Sequence, residues 1–274
     1  MIERERLVLI GHPVSQSLSP VMHNAALAAK ESDLRYEAVD VEPHELAETI
    51  ANLSRMKSAG NITVPHKKAA MEFMRVSSDA AHRAGAVNTF WGDGYGALDA
   101  DNTDVAGFTS AVVDLAGEIP SGIRVAVLGA GGAASAVLTA LDEWNGVTAS
   151  VHARDIARGM SLRMRHSAVV RVCSMRDPCL EDATLVVNAT SVGMVDEHLP
   201  VELDRIRKDA LVLDLVYGRN ETPFVRAARE HGHRAADGLR MLLHQGVASF
   251  ERWFGEAPDK DVMWQALSEA TGRN

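Results

Sequence analysis

Arg124-Val125-Ala126-Val127-Leu128-Gly129-Ala130-Gly131-Gly132-Ala133-Ala134 decides the fold of this chain. Val125 to Leu128 is continuously apolar, as a parallel strand covered on both faces requires, and it breaks at glycine before a small-residue helix from Ser135 to Leu141. The spacing is G-x-G-x-x-A. Gly129 permits a tight turn, Gly131 lets the backbone approach a pyrophosphate, and Ala134 allows close helix packing, while the helix N-terminus offers oriented N–H groups. Such a turn also serves as a plain structural corner; its place between a clear strand and a helix makes dinucleotide binding the stronger reading, with Gly129, Ala130, Gly131, Gly132 and Ala133 as contacts.

The next strand, Thr148 to His152, ends where an adenosine ribose lies in such a fold, and a cofactor without a 2′-phosphate usually meets an acidic residue there. Here the chain reads Ala153-Arg154-Asp155-Ile156-Ala157-Arg158. Two arginines about a helical turn apart can grip a phosphate and stack on adenine, which favours NADP(H), with Ala153, Arg154 and Arg158 as contacts. They also fit an ordinary helix surface, and Asp155 could serve ribose hydroxyls instead.

Upstream, Leu7 to Ile10 is a short apolar run ending at Gly11, and Pro20 opens a helix from Val21 to Lys30 with Ser19 as its cap. Tyr36 to Val41 alternates as a strand, Pro43 to Met56 is an amphipathic helix, Gly60 to Val64 a strand, and Lys67 to Val76 a helix; Gly85 to Asn88 and Ala97 to Leu98 read as further strands. This alternation implies an α/β sheet. A helix from Phe108 to Leu115 leads through Pro120-Ser121-Gly122 to the nucleotide strand, which sets a domain boundary near Asp104. The fold class is therefore α/β with two domains: an N-terminal α/β substrate-binding and catalytic domain over 1–104, completed by 238–274, and a Rossmann-type dinucleotide-binding domain over 105–237.

Two polar signatures precede the nucleotide turn, Asn61-Ile62-Thr63-Val64-Pro65-His66-Lys67 and Asp101-Asn102-Thr103-Asp104. A lysine and a carboxylate facing one substrate hydroxyl can hold it, move its proton and stabilise the alkoxide formed as hydride leaves or arrives. Either residue alone also reads as a solvated surface charge. Composition narrows the classes. A formal charge of −9 with dispersed basic residues excludes a nucleic-acid surface, and no apolar run approaches a membrane span. The charged start Met1-Ile2-Glu3-Arg4-Glu5-Arg6 lacks the apolar region of a signal peptide, so a cytoplasmic location is expected. Cys173 and Cys179 then read as reduced thiols. Eleven histidines come without a carboxylate or cysteine set at ligand spacing, so no metal is expected.

These residues carry a family resemblance over nearly the whole chain: the sequence resembles the shikimate dehydrogenase family. Gly11-His12-Pro13 with Ser17-Leu18-Ser19-Pro20 and His23-Asn24 is similar to the family's substrate loop, and Asn61 to Lys67 to its N-[IV]-T-x-P-x-K segment. Gly85 to Thr89, Asn102 to Asp104, Asn188 to Met194, Asp214 to Tyr217, Asp237-Gly238 and Met241 to Gln245 extend the likeness. The resemblance implies that Ser17 and Ser19 hold the substrate carboxylate, that Thr63 meets a ring hydroxyl, that Lys67 and Asp104 are catalytic, and that Asn88, Tyr217 and Gln245 reach the substrate. Asn188, Thr190 and Leu215 would lie near the nicotinamide, and Gly238 would pack on the cofactor. The C-terminal helix, Met241 to Trp253, would return to the first domain, with Trp253 and Trp264 as core anchors.

The activity so implied is NADPH-dependent, reversible reduction of 3-dehydroshikimate to shikimate in aromatic amino acid and chorismate biosynthesis, by a monomer or homodimer. Quinate or aminoshikimate dehydrogenase on the same scaffold, or an NADP-binding sensor without catalysis, are the alternatives. Ala100 and Val105 stand where the family usually has glycine around D-N-T-D, and Gly218-Arg219 where proline commonly follows the tyrosine.

Overall fold

The computed structural model describes residues 2–176 and 179–273. Met1, which opens the charged N-terminal stretch, and Asn274, which closes the expected completing segment, lie outside the described residues. The chain divides into two units, Met1–Gly107 with Leu242–Asn274, and Phe108–Met241. The divisions fall a few residues after 104 and 238, because each interrupts a continuous helix described below.

The first unit contains β1 (Arg6–Gly11), α1 (Ser19–Ala29), β2 (Tyr36–Asp40), α2 (Leu46–Leu53), β3 (Ser58–Ile62), β4 (Arg75–Val76), α3 (Asp79–Ala84), β5 (Thr89–Gly92) and β6 (Leu98–Asp101). Its sheet runs β2-β1-β3-β5-β6-β4; β1 pairs in parallel with β2 and β3, whereas β5 is antiparallel to both β3 and β6. Val8, Ile10, Ile62, Phe90 and Leu98 from these strands pack with Leu46, Ile50 and Leu53 of α2, burying the apolar face that the helical spacing creates.

The helix α4 (Asp104–Ala116) leads into the second unit: β7 (Arg124–Leu128), α5 (Gly132–Leu141), β8 (Thr148–Ala153), α6 (Ile156–Arg165), β9 (Val169–Ser174), β10 (Leu185–Asn188), β11 (Leu211–Asp214), α7 (Pro223–Glu230) and β12 (Ala235–Ala236). Every pairing is parallel and the order is β12-β11-β10-β7-β8-β9, a doubly wound sheet whose order reverses between β7 and β10. Then α8 (Leu239–Phe254) returns the chain to the first unit, followed by α9 (Lys260–Thr271), which packs against α1.

Several local expectations are corrected. The segment 67–76 is not a helix: a short 3-10 turn covers Ala69–Phe73, Met74 is extended, and Arg75 and Val76 pair with Asp99 and Ala100. Gly85 to Asn88 is not a strand. Gly85 sits at φ 62° and stops α3 in the left-handed conformation that glycine adopts without penalty, so β5 begins only at Thr89. The later strand covers Leu98–Asp101 rather than 97–98. Pro43 to Met56 splits into a 3-10 turn with a Glu42/Glu45 capping box and then α2. Ser19 is not the cap of α1 but lies in its first turn, with Leu18 at the N-cap. Trp253 is fully buried, whereas Trp264 is only half-buried, because Met263 and Leu267 supply the inward face of α9.

Candidate active site

Unit one brings four of the expected residues together. Lys67 follows β3 in the turn that carries His66, whose Nε2 meets the Val41 carbonyl at 2.6 Å and whose ring is buried. That contact pins the turn and makes His66 a structural residue. The Lys67 Nζ donates to Asp104 Oδ2 at 2.6 Å, with 24% of the lysine side chain and 9% of the aspartate side chain exposed. Asn88 Nδ2 donates to the other carboxylate oxygen, Oδ1, at 2.8 Å, and contacts Gln245 Oε1 at 3.2 Å. Gln245 arrives on α8, where its own amide donates to the Leu242 carbonyl at 2.8 Å.

Asp104 occupies the first residue of α4, where the helix dipole and unpaired backbone N–H groups favour a carboxylate. The turn before it is rigid. Asn102 Oδ1 accepts from the Asp104 amide at 3.0 Å, Asn102 Nδ2 donates to Ala86 O at 2.9 Å, and buried Asp101 takes the Asn102 amide and the Arg252 guanidinium. Ala100 and Val105, which flank this turn in place of the family's glycines, are themselves buried apolar residues that pack rather than bend.

The loop after β1 holds the other polar candidates of this unit. Ser17 Oγ accepts from the Ser19 amide at 3.2 Å, so the Ser17 hydroxyl proton is left to donate elsewhere. Ser19 is buried and Ser17 half-buried. Thr63, half-buried, lies against Gly11, where its methyl would stand 2.3 Å from any added Cβ. No hydrogen bond ties Ser17, Ser19 or Thr63 to the Lys67–Asp104 cluster among those described.

In unit two the expected cofactor residues gather at the C-terminal ends of the parallel strands, where ligands bind in doubly wound sheets. Gly129 has φ 112°, and a Cβ there would fall 2.9 Å from the Ala189 carbonyl oxygen, so the turn after β7 admits only glycine. Gly131 and Gly132 face open space, with nothing within 4 Å of an added Cβ, which fits close approach of a pyrophosphate to the α5 N-terminus. Ala130 and Ala133 are half-buried beside them, and Ala134 is buried. Ala153 closes β8; Arg154 and Arg158 follow, both exposed. Asp155 caps α6, its Oδ1 accepting from the Ala157 amide at 3.0 Å and the Arg158 amide at 3.3 Å, so its carboxylate serves the helix.

Asn188 at the end of β10 is buried and doubly anchored: its Oδ1 accepts from Thr190 Oγ1 at 2.7 Å, and its Nδ2 donates to Asp214 Oδ1 at 2.8 Å. Asp214 is buried at the end of β11 and also accepts from Thr222 Oγ1 at 2.7 Å and the Val216 amide at 3.0 Å. Burial pushes this carboxyl up to about 6 despite those bonds. Its role is to fix the loops carrying Asn188, Leu215 and Tyr217. Leu215 and Tyr217 are half-buried on the stretch after β11, and Gly238 lies 2.3 Å, at an added Cβ, from the Leu215 carbonyl. Tyr217 therefore belongs to a different unit from Lys67. Sequence reading assigns no role to Thr222, which caps α7 and reaches Asp214, or to Tyr36, Ser249 and Thr103, whose side-chain partners include residues distant in the chain.

Among the described residues no group of three or more His, Cys, Asp or Glu side chains could hold a metal ion, and no helix is long and apolar enough to cross a membrane. Fold and site together define the class first: a two-domain α/β oxidoreductase with a Rossmann-type dinucleotide-binding unit.

Comparison with known proteins supplies the particular family. Residues 9–90 match the profile described as shikimate dehydrogenase substrate binding domain, and residues 238–267 that of the shikimate 5'-dehydrogenase C-terminal domain. The chain is 40% identical to a shikimate dehydrogenase (NADP(+)) of Mesorhizobium japonicum over 97% of each chain, and 40% identical to one of Moorella thermoacetica over 97% of this chain and 93% of that protein. The crystal structure of shikimate 5-dehydrogenase from Thermus thermophilus in complex with NADP(H) and shikimate superposes with a TM-score of 0.87 at 35% identity, covering 97% of this chain and 99% of that one. The chain belongs to the shikimate dehydrogenase family.

Proposed function

We propose that this protein interconverts shikimate and 3-dehydroshikimate with NADP(H), in the cytoplasm and as a monomer or homodimer, within aromatic amino acid and chorismate biosynthesis. The observation that carries the reading is the Lys67–Asp104 bond at 2.6 Å, in a cluster that also presents the amides of Asn88 and Gln245. A small polyol acid needs a partner for each hydroxyl once water is displaced, since an unpaired buried polar group costs roughly 1–3 kcal/mol. Hydroxyls and amides meet that need and reject analogues that lack the matching group.

Bound NADP+ supplies the hydride acceptor. In the oxidative direction the C3 carbon of shikimate gives up hydride and its hydroxyl gives its proton to the neutral Lys67 amine, which releases it to solvent, while Asp104 orients the lysine. In the reverse direction the Lys67 ammonium gives a proton to the keto oxygen as hydride reaches C3, and solvent restores it. Ser17 and Ser19, with Tyr217, hold the substrate carboxylate, and Thr63 a ring hydroxyl. The glycine turn at Gly129–Ala133 holds the pyrophosphate, Arg154 and Arg158 the 2′-phosphate, and Asn188, Thr190, Leu215 and Gly238 the nicotinamide end. Initial rates with shikimate or quinate, each with NADP+ or NAD+, test the reading: shikimate with NADP+ is expected to give the highest kcat/KM, and preference for quinate or for NAD+ would overturn it.

A further inference from the structure

Behind Asn88 lies a line of buried polar groups that the proposed chemistry does not use directly. Tyr36 OH donates to Asn61 Oδ1 at 2.8 Å; Asn61 Nδ2 contacts Ser249 Oγ at 2.9 Å; Ser249 Oγ contacts Thr103 Oγ1 at 2.9 Å; and Thr103 Oγ1 meets both amide atoms of Asn88, Nδ2 at 3.0 Å and Oδ1 at 3.2 Å. Ser249 is fully buried in the middle of α8, and Asn61 and Thr103 are nearly so.

Two backbone groups orient the two asparagine amides in this line. Asn61 Nδ2 also meets the Asn88 carbonyl oxygen at 3.0 Å, and a carbonyl only accepts, so the amide nitrogen of Asn61 faces Asn88 and Ser249 and its oxygen faces Tyr36. Asn88 Oδ1 takes the Thr103 backbone N–H at 2.7 Å, and an amide N–H only donates, so the Asn88 nitrogen faces Asp104. Ser249 Oγ thus accepts from Asn61, and its own proton has one acceptor among its described hydrogen bonds, Thr103 Oγ1. Were Thr103 to donate to Ser249 instead, the Ser249 proton would be buried without a partner, which folded proteins avoid. Thr103 therefore donates to Asn88. Tyr36, Asn61 and Ser249 each donate to the next side chain, and Thr103, which meets Asn88 through both amide atoms, links them to the Asp104 carboxylate, whose other oxygen receives Lys67. Bonds aligned in this way polarise one another and strengthen together.

We propose that Ser249 is a positioning residue for the reaction, whose hydroxyl holds the Thr103 side chain against Asn88 and so, together with the Thr103 backbone N–H, steadies the Asn88 amide that donates to Asp104, the partner of Lys67. This rests on the function proposed above. The test compares Ser249→Ala, Thr103→Val and the double variant with wild type, reading kcat and KM for shikimate and the binding of NADP+. Ser249→Ala is expected to lower kcat about tenfold, the effect on a rate of losing one hydrogen bond, while NADP+ binding stays unchanged. The double variant is expected to be no slower than Thr103→Val alone, because both changes break the same line.

A Ser249→Ala enzyme with unchanged kcat, or effects that multiply in the double variant, would overturn the proposal. Should Ser249→Ala fail to fold, Tyr36→Phe carries the test. It keeps the ring that packs on His23 and Trp253 and removes only the first donor; a kcat lowered about threefold supports the proposal, and an unchanged kcat overturns it. Wild-type protein that fails to oxidise shikimate would instead contradict the function, which separates the two failures.

Discussion

Asn88 Nδ2 and Lys67 Nζ grip opposite oxygens of Asp104, at 2.8 and 2.6 Å, so the carboxylate meets a donor on each side. Asp104→Asn would turn an amide NH2 against one of those donors. Turnover is expected to fall by about 10²-fold or more, the lower end of what a positioned acid–base group contributes, with NADP+ binding intact. A variant altered only in thermal stability would make Asp104 a structural residue.

Ser17 has its oxygen engaged by the Ser19 amide and its proton to spare, which suits an anion without first breaking a salt bridge. A hydrogen bond to a charged group is worth roughly 1.5–3 kcal/mol, so Ser17→Ala is expected to raise the KM for shikimate about 10- to 150-fold. An unchanged KM in both Ser17→Ala and Ser19→Ala would remove the carboxylate from this loop.

Under the proposed function, Arg154 and Arg158 are the groups expected to set cofactor choice; Asp155 caps α6 through Oδ1 and meets Arg158 Nε through Oδ2 at 3.5 Å. Replacing both arginines with uncharged residues is expected to weaken NADPH by about 2–4 kcal/mol, roughly 30- to 1,000-fold, through loss of two charge-assisted bonds that do not simply add. NADH is expected to change little. Equal use of NADH and NADPH by the unmodified protein would refute this assignment.

The nucleotide unit was largely legible in the sequence because its signals are local. A continuous apolar strand, a glycine spacing and a small-residue helix all lie within Arg124 to Leu141, and the parallel sheet follows from repeating that unit. The meeting of Lys67 with Asp104 was foreshadowed by the polar signatures around the two residues. The segment after Lys67 misled, since Ala69–Phe73 has helix-forming composition while Arg75 and Val76 are drawn into the sheet by β6. The line behind Asn88 left no local trace: Asn61 and Ser249 are 188 residues apart and meet only through folding. Ser249 lies one turn after Gln245 on the same helix, and nothing in the local spacing says which distant side chains it meets.

His23 offers a test of the core. Its ring is fully buried against Tyr36, Phe250 and Trp253, neither nitrogen has a hydrogen-bond partner among the described residues, and burial pulls it down to about 3. The unfolded chain binds this proton below about 6.5 and the folded one does not. Its contribution to stability is therefore complete above that pH and is lost as the pH falls toward 3, at up to about 1.4 kcal/mol per unit. Urea melts between pH 4 and 7 are expected to show a flatter dependence for His23→Phe than for wild type; parallel curves would mean that His23 is not held neutral.

The role of Lys67 is tested most directly by Lys67→Ala, with NADPH formation from shikimate and NADP+ binding measured on the same folded sample. The account predicts turnover lower by about 10²- to 10⁴-fold, the range for a lost positioned acid–base group, with NADP+ affinity and melting temperature close to wild type. Near-normal turnover in that variant would contradict it.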